Sequence, residues 1–278
     1  MTSPSPHPDS PGAPGPRVLC AMSGGVDSSC AALLLKRSGE DVLGATMKLL
    51  DYDAGEDSCG RRTCCSRRDI EDARAVCSRL DIDFAVFNFT RLFHEEVVRP
   101  FRDSYLAGLT PNPCILCNRV MKFRHLRERA RALGCGRIAT GHYARIDRDG
   151  GRLVLRKALD ESKDQSYVLY GLTQEELAAT LFPLGGLTKG QVRGIARDAG
   201  LPTSAKPESQ DICFVPAGRY ADFLERPPGD PEARWREGAG GGSGGSARPA
   251  AGPGGRAGAP GQAGRGLPDA APPGPRLP

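Results

Sequence analysis

The chain has 278 residues and a formal net charge of +5, enough length for one or two domains around a sizeable core. The mild positive excess permits an anionic partner such as nucleic acid without requiring one. No apolar run approaches the length of a membrane span, and the Pro- and Ser-rich start lacks the basic and apolar regions of a secretory signal. A cytoplasmic location is therefore expected, and there ten cysteines serve metals or catalysis more often than structural disulfides.

Residues 1–16 read as a disordered tail. Val18-Leu19-Cys20-Ala21-Met22 predicts a short strand that runs through a glycine turn into a helix spanning Cys30 to Leu35. Val42 to Met47 predicts a second strand. Cys59, Cys64 and Cys65 share a loop with Arg61, Arg62, Arg67 and Arg68. That basic segment suits RNA phosphate, and its spacing lacks the two C-x-x-C arms of a usual zinc site. Ile70, Ala73, Cys77 and Leu80 form a helical stripe, and Phe84 to Phe89 a strand. Phe93, Val97, Phe101 and Tyr105 are spaced for a helix that Pro100 should kink or split.

Phe123, Leu126, Ala130 and Leu133 mark a further helix stopped by Gly134. Arg137 to Thr140 predicts a strand ending at Gly141-His142-Tyr143. Ala144–Ile146 and Leu153–Arg156, around Asp149-Gly150-Gly151, predict a hairpin at the sheet's edge. Thr173-Gln174-Glu175-Glu176 is a capping box, and Thr188 to Ala199 a last helix closed by Gly200 and Pro202. Strands alternating with helices predict an α/β fold, a parallel sheet with helices on both faces. From about Arg226 onward Gly, Pro, Ala and Arg dominate, a composition that cannot bury enough surface to offset its ordering entropy. Two readings of residues 226–278 stay open: a native disordered tail, or a frame shift in GC-rich coding sequence.

Ser23-Gly24-Gly25-Val26-Asp27-Ser28-Ser29 stands between strand and helix. Its glycines let backbone amides approach an anion, and the helix N-terminus and serine hydroxyls add favourable donors. It lacks the Gly-Lys-Ser/Thr ending of a Walker A loop. It resembles the pyrophosphate loop of the ATP pyrophosphatases, which split ATP between its α and β phosphates and adenylate a substrate oxygen.

Thr110-Pro111-Asn112-Pro113-Cys114-Ile115-Leu116-Cys117-Asn118 carries a C-x-x-C pair, and a helix is predicted to begin just after Cys117. A thiol at a helix N-terminus, with Arg119 and Lys122 within a turn, makes Cys117 a candidate thiolate nucleophile. The spacing alone leaves metal, redox and coincidental readings open.

Five motifs occur in order: Ser-Gly-Gly-Val-Asp-Ser-Ser at 23–29, Pro-Asn-Pro-Cys-x-x-Cys-Asn at 111–118, Thr-Gly-His-Tyr at 140–143, Lys-Asp-Gln-Ser-Tyr at 163–167 and Ser-Gln-Asp-Ile-Cys-Phe at 209–214. Together they resemble the bacterial tRNA-uridine 2-sulfurtransferases, the wobble-uridine 2-thiouridylases, over residues 17–225. The resemblance implies an adenine nucleotide alpha hydrolase-like catalytic domain over 17–170. It implies that 171–225 forms the rest of the catalytic region and the start of a small central domain. The family's following β-barrel has no matching strands after Phe223-Leu224, so the chain reads as truncated or frame-shifted.

The implied mechanism uses ATP with magnesium to adenylate the C2 oxygen of the uridine. A persulfide on Cys213 delivers sulfur, and Cys117 frees it through a transient disulfide with Cys213. The resemblance carries ATP binding onto Ala21, Met22, Ser23, Gly24, Gly25, Val26, Asp27, Ser28, Met47 and Gly141, with Ala21 where glycine is more usual. It carries contact with the flipped base onto Asn112, Pro113 and Cys114, and tRNA contact onto His142, Lys163, Asp164 and Gln165. Cys114 stands where some members carry an aspartate acid/base. Cys114, Cys117 and Cys213 also offer three thiolates to an iron–sulfur cluster, a competing route. The implied partners are tRNA and a persulfide donor or sulfur-relay protein, with no membrane. The alternatives are another ATP pyrophosphatase, such as an amide-forming synthetase, and an inactive remnant that binds ATP or tRNA.

Overall fold

Alternating strands and helices build a parallel sheet whose two faces carry separate apolar clusters. The computed structural model describes residues 17–50, 67–207, 212–215 and 223–224. The expectations for residues 1–16, for Cys59, Cys64 and Cys65, for Ser209 to Asp211 and for 226–278 lie outside the described residues. In chain order the described elements begin with β1 (Val18–Ala21), α1 (Val26–Arg37), β2 (Val42–Lys48), α2 (Arg67–Leu80) and β3 (Asp83–Asn88). A second run of helix follows as α3 (Thr90–Phe93), α4 (Arg99–Leu106), α5 (Pro113–Cys117) and α6 (Arg127–Ala132). Next come β4 (Arg137–Ala139), β5 (Ala144–Asp149), β6 (Arg152–Lys157), α7 (Gln174–Ala178), β7 (Thr180–Leu181) and α8 (Lys189–Asp198).

The main sheet has the order β3-β2-β1-β4-β7, with every pairing parallel. Leu19 faces one cluster, with Leu43, Ala45 and Met47 of β2 and the aromatics of α3 and α4. Val18 and Cys20 face the other, with residues of α1, α2 and α8. This period-two split is what alternating side-chain direction along a strand requires, and it leaves the sheet covered on both sides as expected. β7 was not legible as a strand. It is two residues long, and it pairs with β4 through Ile138–Thr180 and Ala139–Leu181. The main sheet thus takes in a strand beyond residue 170.

One prediction needs correction and another is narrowed. The hairpin β5–β6 forms its own two-stranded sheet rather than an edge of the main one. Of the kink or split expected at Pro100, the split does not occur. The chain runs from α3 through a π-helical stretch, His94–Val98, directly into α4 with Pro100 in its first turn. A proline removes one amide donor and crowds the preceding turn, and the widened stretch just before it absorbs both effects.

The caps predicted at Thr173 and Gly134 are realised, and a second capping box appears at Thr188. Thr173 and Glu176 close a capping box on α7, and Thr188 and Gln191 close another on α8. Gly134 stops α6 as a left-handed residue at φ +74°. The amides of Gly134 and Cys135 bond back to Arg131 and Ala130 at 3.0 and 2.9 Å, the Schellman pattern.

Candidate active site

β1 is central, and the chain leaves it in opposite directions: β2 on one side, β4 on the other. In an open parallel sheet such a switch point opens a crevice beyond the strands' C-terminal ends. Two loops meet there, Met22–Gly25 after β1 and Thr140–His142 after β4.

The first loop is held by its neighbours. Met22 donates its amide to Ala45 O at 2.7 Å and accepts from Thr46 Oγ1 at 2.9 Å. Gly24 sits at φ +70°, and a Cβ there would lie 2.3 Å from the Asp69 carbonyl oxygen. Both conformation and space therefore demand glycine. Gly25 caps α1 without a side-chain bond, leaving first-turn amides available to an anion. Ser28 Oγ accepts from the Ser23 amide at 3.1 Å, and Ser29 Oγ donates to Gly25 O at 2.8 Å. Gly141 presses on the same turn: a Cβ on it would fall 2.7 Å from the Ser28 amide nitrogen.

Three residues of this site were not singled out by sequence reading. Lys189, at the start of α8, donates to both carboxylate oxygens of Asp27 at 2.7 and 2.8 Å. Tyr143 donates its hydroxyl to Asp27 Oδ1 at 2.8 Å. Lys206 donates to Gly24 O at 2.9 Å and to Asp69 Oδ1 at 2.6 Å, and also reaches Asp72. It neutralises two carboxylates that would otherwise repel a phosphate bound at the loop. Lys189 lies 162 residues from Asp27 and Lys206 lies 182 from Gly24, so no local pattern marks either. Tyr143 stood inside a noted motif, but its partner is set only by the fold.

His142, expected from the resemblance to contact tRNA, is buried. Its ring lies against Phe123 and Phe182, with centroids at 6.4 and 6.1 Å. Its nitrogens meet Thr140 Oγ1 at 2.7 Å and Lys122 Nζ at 3.4 Å. Burial, with the Lys122 charge beside it, holds its pKa well below the usual histidine value, so the ring is neutral.

The cysteine segment also departs from its predicted geometry. The helix starts at Pro113, not after Cys117. Asn112 caps it by accepting the Cys114 amide at 3.0 Å, and Pro113 occupies the first turn. The helix N-terminus therefore lies at exposed Cys114, while Cys117 sits at the end of α5 and is partly buried. The helix continues without a break through a π-helical stretch, Asn118–Leu126, into α6. Cys213 is also partly buried. Its neighbour Phe214 inserts between Phe93 and Phe101, with centroids at 5.6 and 5.4 Å. Cys117 and Cys213 border the same apolar cluster, which also takes in Met47 and Ala21.

Asp164 and Gln165 turn inward. Burial opposes ionisation of Asp164, but bonds from the Ala158 amide and from the Ser166 hydroxyl and amide outweigh it and hold the carboxyl below its ordinary pKa. Gln165 accepts from the Tyr143 amide through its side chain and donates its own amide to Tyr143 O. Both brace the end of β4 against the hairpin, and Lys163 beside them is partly exposed. Among the described residues no group of three or more His, Cys, Asp or Glu side chains is disposed to hold a metal ion. The three-thiolate iron–sulfur alternative thus finds no ready-made ligand set in Cys114, Cys117 and Cys213. No described helix is long and apolar enough to cross a membrane.

The class follows from sheet and loop together: a parallel α/β domain with a glycine-rich anion cradle at its switch point. The chain belongs to the family described as tRNA methyl transferase HUP domain, whose pattern matches residues 16–217. Among its relatives, the tRNA-specific 2-thiouridylase MnmA of Desulforamulus reducens is 53% identical over 214 residues, covering 75% of this chain and 58% of that protein. The protein of the same name from Geotalea uraniireducens is 52% identical over 216 residues, covering 77% of this chain and 58% of its own length. The chain thus spans under two thirds of the length of these relatives. Among solved structures, a 4-thiouridine synthetase–RNA complex with bound ATP superposes with a TM-score of 0.49 at 19% identity, over 77% of this chain and 46% of that one.

Proposed function

We propose that the chain catalyses ATP-dependent 2-thiolation of the wobble uridine of tRNA in the cytoplasm; the names of its relatives support 2-thiolation of tRNA. The observation that carries this reading is the shared border. Two half-buried cysteines, 96 residues apart in sequence (213 − 117), pack on the cluster that includes Met47 beside the phosphate loop.

ATP, with magnesium, is bound by Ala21 to Ser28, with Met47 and Gly141 lining the base side. The uridine O2 attacks the α-phosphorus and pyrophosphate leaves. The terminal sulfur of a Cys213 persulfide then attacks C2 and AMP departs with the former O2. Cys117 attacks Cys213 Sγ, breaking the S–S bond, so that sulfur stays on the uridine and a Cys117–Cys213 disulfide forms for a thiol reductant to reopen. A good leaving group and a nucleophilic thiolate are what this substitution requires. Asn112, Pro113 and Cys114 face the target base, Lys163 and its neighbours meet the tRNA, and a persulfide donor protein recharges Cys213.

The test is incubation of the full chain with tRNA, ATP and a persulfide-bearing donor, followed by nucleoside mass analysis. 2-Thiouridine is expected, and Cys117→Ser or Cys213→Ser abolishes it. Full product from either variant would overturn the two-cysteine mechanism. ATP binding with no product from the unaltered chain would favour the reading as a binding remnant.

A further inference from the structure

Lys122 lies five residues beyond Cys117, inside the π-helical stretch Asn118–Leu126. In i→i+5 geometry, residues five apart come toward one face, whereas α-helical geometry turns them away from each other. The ammonium therefore shares the side of the helix that bears Cys117. Its polar contact is His142 Nε2 at 3.4 Å, and among the described residues no carboxylate pairs with it.

The tether has a definite polarity. An ammonium only donates, so His142 Nε2 accepts, and the ring proton sits on Nδ1 and is donated to Thr140 Oγ1 at 2.7 Å. The ring cannot swing, because Phe123 and Phe182 flank it. Thr140, Gly141 and His142 follow β4, and Gly141 touches the first turn of α1 at Ser28 and Asp27. The support for Lys122 is thus built into the wall of the nucleotide crevice. A neutral acceptor orients the ammonium without cancelling its charge, as a carboxylate would. The contrast within the site is direct: Lys189 and Lys206 are both spent on aspartates.

We propose that Lys122 is a nucleotide-contacting cation, steered by His142 so that its ammonium engages the α-phosphate of ATP and of the adenylate. The proposal deepens the ATP-site reading above and rests on it. The loop amides between Gly24 and Ser28 serve the pyrophosphate end. In this placement the α-phosphate, next to the reacting base, is directed toward β4 and the Cys117 helix. Negative charge gathers there as the uridine oxygen attacks, and a preoriented cation stabilises it. His142 is on this account a positioning residue for Lys122.

The experiment measures equilibrium binding of ATP, AMP and adenosine to the full chain and to Lys122→Met, Lys122→Arg and His142→Leu, with thermal unfolding of each. Lys122→Met is expected to weaken ATP and AMP about tenfold and to leave adenosine unchanged. Lys122→Arg should recover most of the loss, and His142→Leu should reproduce part of it with the same phosphate selectivity. Equal binding of AMP by Lys122→Met and the unaltered chain would overturn the role of Lys122 alone. Parallel weakening of AMP and adenosine would reduce it to a structural role. Failure of the unaltered chain to bind ATP would overturn both this proposal and the ATP site beneath it.

Discussion

Gly24 and Gly39 are both left-handed, at φ +70° and +81°, but differ in their surroundings. Around Gly39 nothing lies within 4 Å of a built Cβ, whereas at Gly24 the Asp69 backbone occupies the space. Gly39→Ala should therefore cost only the left-handed penalty, about 1–2 kcal/mol, and leave nucleotide binding unchanged. Gly24→Ala must also move α2 or the loop, so ATP binding should be lost even where the protein stays folded. Urea unfolding combined with ATP titration separates the two, and wild-type ATP affinity in Gly24→Ala would contradict the packing argument. The pair of glycines at 24 and 25 was visible in the sequence as a phosphate cradle. That α2 closes on Gly24 was not, because Asp69 follows a long polar loop with no pattern tying it to the turn.

Among the elements, the cysteine helix shows how a local rule can be read one turn out of place. Asn112-Pro113 is a cap followed by a first-turn proline, the ordinary opening of a helix, yet the apolar stripe that marks a helix becomes clear only after Asn118. The π-helical widening that follows Cys117 left no periodic trace, since it breaks the 3.6-residue repeat by design. The segment around Cys213 was legible only through its motif. Its position comes from Phe214, wedged among Phe93, Phe101 and Phe223, and from Arg102, which donates to Leu224 O at 2.8 Å. Phe214→Ala should cost about 3–5 kcal/mol and free Cys213 from its place while the phosphate loop stays intact. The expected result is a large fall in 2-thiouridine formation with ATP affinity retained. A fall in both together, at temperatures well below unfolding, would show that the two halves of the site are not separable in this way.

At the scale of the whole molecule, the buried thiols make stability depend on alkali. Burial pushes Cys30 up to about 11 and Cys77 up to about 12, and raises Cys20 and Cys135 as well. An unfolded cysteine titrates near 8.5. Above that pH the unfolded chain sheds protons that the folded chain keeps, so the folded state loses ground. The contribution is complete below about pH 8.5 and is lost as pH rises toward the folded values, by at most about 1.4 kcal/mol per pH unit for each thiol. Urea unfolding between pH 8 and 11 should show this decline, with a shallower slope in Cys77→Ala. A flat profile across that range would mean that these thiols are not shielded from solvent. The α/β class and the parallel sheet followed from alternating apolar runs, while the strand order around β1 is set by the fold and β7, two residues long, carried too little pattern to be seen.

The acid of the phosphate loop is neutralised by Lys189, and its glycine is bridged to α2 by Lys206. A ribosome-bound chain that has exposed only its first 150 or so residues would already hold β1 to β4 and the glycine turn. It would nonetheless present that turn with uncompensated carboxylates and without α8 against α1. Nascent chains should therefore acquire affinity for nucleotide late in synthesis, only after the second of these lysines has cleared the exit tunnel.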